Sequence, residues 1–242
     1  MTLDTKAHNT NPLDVRLSED DRSLRSYVVR NGRLSEHQKA ALLALYPRFG
    51  CTYHPGHNLD SVSLAGREAP FVVEIGFGMG TATAAIAASL PETVFLGLEV
   101  HAPGVGKLLS LIGEQGLENL WLCRHDAMEV VETMLAPGSV DGFHIFFPDP
   151  WPKKRHHKRR IIRPAFVALL ASRLKPDGYI YFVTDWEEYA ESVLEVFRTE
   201  PLLTNRHELW AKRESWRPVT KFEQRAINDG RVIRELLFVR QN

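Results

Sequence analysis

Five carboxylates stand where short apolar runs give way to loops: Glu74, Glu99, Asp126, Asp149 and Asp185. The first lies in Val72-Val73-Glu74-Ile75-Gly76-Phe77-Gly78-Met79-Gly80, an apolar run that enters a glycine turn and then a helical segment. Glycines at such a turn let backbone N–H groups come close to a ligand. A dinucleotide fingerprint needs G-x-G-x-x-G, yet counting from Gly76 puts Thr81 where the third glycine belongs and Gly80 one residue early. Glu74 argues the same way. Its charge would repel a pyrophosphate and attract a ligand that carries ammonium and sulfonium groups, of which S-adenosylmethionine is one. The alternative for the loop by itself is a plain tight turn between strand and helix.

The other acids extend that reading. Glu99 follows the second apolar run, about twenty residues past the loop, where an acid ordinarily accepts from ribose hydroxyls. Asp126, in Cys123-Arg124-His125-Asp126-Ala127, either accepts from the exocyclic amine of adenine or caps the helix that follows. In Phe146-Phe147-Pro148-Asp149-Pro150-Trp151-Pro152 the prolines restrict themselves and their predecessors, so Asp149 is expected to be held rigidly. The basic run Lys153-Lys154-Arg155-His156-His157-Lys158-Arg159-Arg160 comes next. It is suited to gripping phosphates, or is simply a solvated loop. The His156-His157 pair has no third candidate at a regular ligand spacing, so no metal is expected.

Positioning these residues requires a sheet. Apolar runs of strand length cover Phe71 to Ile75, Val94 to Leu98, Leu120 to Cys123, Phe143 to Phe147 and Tyr179 to Val183. Between them, segments with one apolar face predict helices over Thr81 to Leu90, Pro103 to Gln115, Ala127 to Leu135 and Pro164 to Leu174. A further helix is expected over Ser35 to Tyr46 before the core, and another over Trp186 to Phe197. Two last strand-like runs, Asn205 to Trp210 and Val232 to Val239, close the sheet as a final pair. The alternation predicts an α/β fold, a mostly parallel seven-stranded sheet with helices on both faces, in the Rossmann-like manner. Ligands on such sheets sit outside the carboxyl ends of the strands, where the five acids lie.

Composition sets the bounds. The chain has 242 residues, 44% of them hydrophobic, enough for one core. Lys plus Arg and Asp plus Glu both count 30, so affinity for an anion must come from local placement of charge. Cys51 and Cys123 are far apart and fit a reducing, cytoplasmic setting. The polar start, 1–23, lacks signal or transit patterning and is expected to be a flexible tail ahead of a single domain over 24–242. No run of about 18 apolar residues occurs, so no spanning helix is expected.

Several of these stretches together resemble the bacterial tRNA (guanine-N7-)-methyltransferases, which are class I S-adenosylmethionine-dependent enzymes. The resemblance rests on Arg25-Ser26-Tyr27, Gly32-Arg33-Leu34, the glycine loop from Glu74 to Gly80, Phe147 to His156, Thr184-Asp185 and Thr220-Lys221-Phe222-Glu223. It runs from about Leu24 to Val239, and the proline-tryptophan loop and the Thr-Lys-Phe-Glu motif are its most specific parts. The resemblance implies methyl transfer to N7 of guanosine 46 in the tRNA variable loop, with S-adenosylhomocysteine as product and no metal. It implies that Glu74, Gly76, Gly78, Glu99, Asp126 and Asp149 hold the cofactor, with Asp149 also catalytic. It further implies that Lys153, Asp185, Thr220, Lys221, Phe222 and Glu223 contact the substrate, and that Arg155, His156, His157, Lys158, Arg159 and Arg160 contact RNA. Trp151, Phe222 or Tyr53 either stacks on the target base or packs within the protein.

Overall fold

The computed structural model describes residues 26–27 and 33–242. The expected tail over 1–23, and Arg25 and Gly32 of the motifs above, lie outside the described residues. Helix α1 (Glu36–Phe49) begins at a reciprocal cap: the Ser35 hydroxyl accepts from the Gln38 amide at 3.2 Å, and Gln38 Oε1 accepts from the Ser35 amide at 2.8 Å. It runs past the expected end at Tyr46 and through Pro47. Phe49 is buried there, and the Gly50 N–H closes the last turn on the Tyr46 carbonyl.

The chain continues through β1 (Gly50–Cys51), α2 (Ser61–Ala65), β2 (Phe71–Ile75), α3 (Thr81–Ser89), β3 (Val94–Leu98), α4 (Ala102–Gln115) and β4 (Leu120–Cys123). Then follow α5 (Ala127–Met134), β5 (Val140–Phe146), α6 (Pro164–Arg173), β6 (Leu174–Thr184), α7 (Glu187–Thr199), β7 (Leu203–Asn205), α8 (Lys221–Asn228) and β8 (Arg234–Arg240). One sheet runs β1-β4-β3-β2-β5-β6-β8-β7, parallel except that β8 is antiparallel to both its neighbours.

The seven expected strands are present, and β1 adds an eighth at the edge beside β4. Two residues are too few to show alternation, so no sequence pattern marks it. Strands β5 and β6 start earlier than expected, because Lys175 to Gly178 bulges out between the pairs Val140↔Leu174 and Gly142↔Tyr179. Asp177 turns that bulge at a φ of 64°. The run expected over Asn205 to Trp210 pairs only from Leu203 to Asn205.

Side chains alternate across the sheet. Val73, Ile75, Leu96 and Phe143 join the core under α5, α6 and α7, whereas Val72 and Phe95 join the core under α1, α3 and α4. Strand order reverses between β2 and β5, and crevices of open α/β sheets form at such a reversal. Among the described residues no helix is long and apolar enough to cross a membrane.

Candidate active site

A cavity of about 250 Å³ opens at the carboxyl ends of β2, β3 and β5; Gly76, Glu99 and Asp149 line it together with Tyr27, His125 and Phe147. Of the glycine loop, Gly76 lines it and Gly78 does not. Gly76 and Gly78 take φ angles of 77° and 58°, which only glycine adopts without strain. A Cβ built on either would meet nothing within 4 Å, so the turn faces open space. Helix α4 packs hard against its far side: a Cβ at Gly104 would lie 2.0 Å from the Gly78 carbonyl oxygen. Glu99 ties the two together. Its Oε2 accepts from the Gly78 amide at 2.9 Å, and its Oε1 accepts from the amides of Val100 and His101 at 2.7 and 2.9 Å.

Glu74 does not line the cavity. It is 4% exposed, on the face of β2 that also carries Val72. Burial is the main reason its carboxyl is pushed from the ordinary 4.5 up to about 7; the nearby Thr83 hydroxyl opposes the rise and the Glu99 charge adds to it. Between those two values the folded chain keeps a proton that the unfolded chain releases. Stability therefore falls as pH rises through that window, by about 3 kcal/mol in all, and does not recover above it. Glu74→Gln is expected to remove this slope, so its unfolding midpoint should gain on the parent protein from pH 5 to pH 8. Parallel pH curves in urea denaturation would contradict the assignment.

Asp126 precedes α5 and its Oδ1 accepts from the Met128 amide at 2.8 Å, so it caps the helix with one of its two oxygens. Burial raises its pKa, and hydrogen bonds from the Met128 amide and the Tyr27 side chain oppose that rise. Its neighbours His125 and Ala127 line the cavity, which puts Asp126 at the cavity wall. Tyr27 and His125 were given no role by sequence reasoning. Tyr27 lies in the Arg25-Ser26-Tyr27 motif, and its partner Asp126 is about a hundred residues away in sequence. His125 stacks on Tyr53 at 3.7 Å and its Nε2 is 2.5 Å from Glu129, so the Tyr53 ring has a partner inside the protein.

The Asp149 loop is held in an unusual conformation. Phe147 and Trp151, each followed by proline, have φ angles of 50° and 46°. Left-handed backbone at a bulky residue costs about 1–2 kcal/mol, so the surroundings must enforce it. The Phe147 amide donates to Val183 at 2.7 Å, and Trp151 Nε1 donates to the Ser26 carbonyl at 3.3 Å. The basic run winds into a 3-10 turn, Lys154–Arg159, with Lys153, Lys154, Arg155 and Lys158 exposed. His156 meets the Trp151 ring edge-on, and the Arg159 guanidinium lies 4.9 Å from it. Arg160 is different: it is buried and paired with Glu188.

The remaining candidates sit on the β6 side. Asp185 pairs with Arg231. Thr220 caps α8, accepting from the Glu223 amide at 3.0 Å, and Phe222 reaches the Phe147 ring edge-on at 5.3 Å. That contact brings the start of α8 to the cavity rim, with Lys221 exposed beside it. Glu223 instead turns inward, taking both its oxygens to Arg217 at 2.8 and 2.9 Å. Arg217 also binds Glu235 at 2.7 Å, and Glu235 accepts from the Tyr181 hydroxyl.

Known proteins share this architecture. Residues 68–236 match a family model described as "Putative methyltransferase". The 16S rRNA methyltransferase KamB superposes with a TM-score of 0.54 at 13% identity, over 74% of this chain and 92% of that one, a likeness of fold alone. Sequence relatives are far nearer. A tRNA (guanine-N(7)-)-methyltransferase of Paraburkholderia xenovorans is 55% identical over 217 residues, 90% of this chain and 83% of that protein. One from Methylobacillus flagellatus is 53% identical over 221 residues, 91% of this chain and 92% of that protein. Identity of this depth along nearly the full length of both partners means that the chain belongs to the tRNA (guanine-N(7)-)-methyltransferase family.

Proposed function

We propose that this chain, as one methyltransferase domain over 24–242, transfers the methyl group of S-adenosylmethionine to N7 of guanosine 46 in the tRNA variable loop. The observation that carries the reading is the convergence of Gly76, Glu99 and Asp149 on one cavity bordered by an exposed basic turn. The residues fit the cofactor. The loop leaves room where Cβ atoms would otherwise stand, and the acids at the cavity, Glu99, Asp126 and Asp149, match a ligand with two cationic centres and several hydrogen-bond donors.

S-adenosylmethionine supplies an electrophilic methyl group on a sulfonium. Glu74 lies buried beneath the glycine loop, Glu99 would accept from a ribose hydroxyl with the capacity that its backbone partners leave on Oε2, and Asp126 would accept from the adenine amine. Guanine N7 already carries an in-plane lone pair, so no base needs to remove a proton before attack. Asp149 therefore orients the purine through its N1–H and N2–H donors and stabilises the positive charge that the ring gains. Lys153, Asp185 and the start of α8 at Thr220, Lys221 and Phe222 hold the target nucleotide. Holding both reactants in line supplies much of the remaining acceleration. Arg155, His156, His157, Lys158 and Arg159 grip phosphates.

Unmodified transcripts that differ only at position 46 test the site of reaction. Replacing guanosine 46 by adenosine is expected to abolish methyl acceptance while leaving tRNA affinity within a few-fold. Undiminished methylation of the replaced transcript would move the target elsewhere.

A further inference from the structure

Arg160 ends the basic run, yet its side chain is 5% exposed. Its Nε donates to the Pro150 carbonyl at 2.9 Å, one residue beyond Asp149. The two Nη atoms donate to both oxygens of Glu188, at 3.0 and 2.5 Å, in the first turn of α7. The guanidinium also lies 4.6 Å from the Tyr189 ring, and Nη2 is 3.1 Å from His157 Nε2. A phosphate could reach this group only by displacing partners that already satisfy it. Pro150 lies between Asp149 and Trp151, in the stretch where Phe147 and Trp151 hold left-handed backbone. Such a loop keeps its shape only where the surroundings over-determine it. The planar fork of arginine suits the task, since one guanidinium can bind a carboxylate bidentately and a carbonyl at the same time.

We propose that Arg160 is a positioning residue that fixes the Asp149 loop to α7 through Pro150 and Glu188, and that the RNA grip ends at Arg159. The inference rests on the functional reading above for the role of Asp149. Glu188 makes the two roles separable. Its side chain is 54% exposed, so Glu188→Ala removes no core packing. If Arg160 served RNA, removing that neighbouring anion would leave tRNA binding unchanged or tighter and turnover intact. If Arg160 is a strut, turnover falls without any change in phosphate contacts.

The test combines Arg160→Ala, Arg160→Lys and Glu188→Ala in three measurements. These are kcat at saturating tRNA, the salt dependence of tRNA affinity, and amide hydrogen exchange across 146–160. The strut predicts a kcat loss of about 10- to 100-fold in both alanine variants, as expected for misplacement remote from the reacting atoms. It also predicts partial rescue in Arg160→Lys, an unchanged salt slope, and faster exchange in the loop. A salt slope reduced by about 0.7 in Arg160→Ala, with wild-type kcat in Glu188→Ala, would overturn it in favour of an RNA contact. Should the parent protein not methylate tRNA at all, the functional reading fails separately. Exchange then decides alone, and an unaltered loop in Glu188→Ala refutes the strut.

Discussion

Asp149→Ala is expected to lower the turnover number for tRNA methylation by about 100- to 1000-fold, the range seen when one preorganised electrostatic partner of a developing charge is removed. The cavity wall otherwise stays intact, because Gly76 and Glu99 are held by backbone contacts that do not involve Asp149. Cofactor affinity should therefore fall by about tenfold, the lower end of what one hydrogen bond to a charged group is worth. Asp149→Asn keeps the shape and one acceptor and loses the charge, so it should fall between parent and alanine. Single-turnover kinetics beside calorimetric titration with S-adenosylmethionine separates the two quantities. Unchanged turnover in Asp149→Ala would remove the residue from the reaction.

The second large effect is on stability. Arg217 has a side chain 1% exposed between two buried carboxylates, Glu223 and Glu235, and it binds both. Arg217→Ala would strand those carboxylates in the interior, and breaking a buried pair this way costs about 3–5 kcal/mol. The network also fixes α8, because Glu223 is the residue whose amide meets the Thr220 cap. Its loss should free Phe222 from Phe147 and raise the KM for tRNA in whatever fraction remains folded. Urea denaturation checks the main effect, and a loss below about 1 kcal/mol would show that the cluster is not a structural centre.

The sheet was legible in the residues because its strands are continuous apolar runs. Phe71–Ile75, Val94–Leu98 and Leu120–Cys123 begin and end where composition changes. The acids fall at one edge because parallel strands bring their carboxyl ends together, whereas the order of strands is set by pairings distant in sequence. What stayed hidden depends on partners distant in sequence. Arg160 reads as one more cation in a basic run, and only Glu188 and Pro150 turn it inward. Glu223 belongs to a motif implied to contact substrate, yet its carboxylate faces Arg217. Strand β1 has no pattern of its own and exists through its pairing with β4. Tyr27 reaches Asp126 through a fold that brings Ser26 and Tyr27 to the cavity, which no local rule encodes.

Methyl transfer from labelled S-adenosylmethionine to unmodified tRNA, followed by nucleoside analysis of the product, tests the central claim most directly. Label in 7-methylguanosine and in no other nucleoside is the predicted result. Label in a different nucleoside, or cofactor binding without transfer to tRNA, would contradict it.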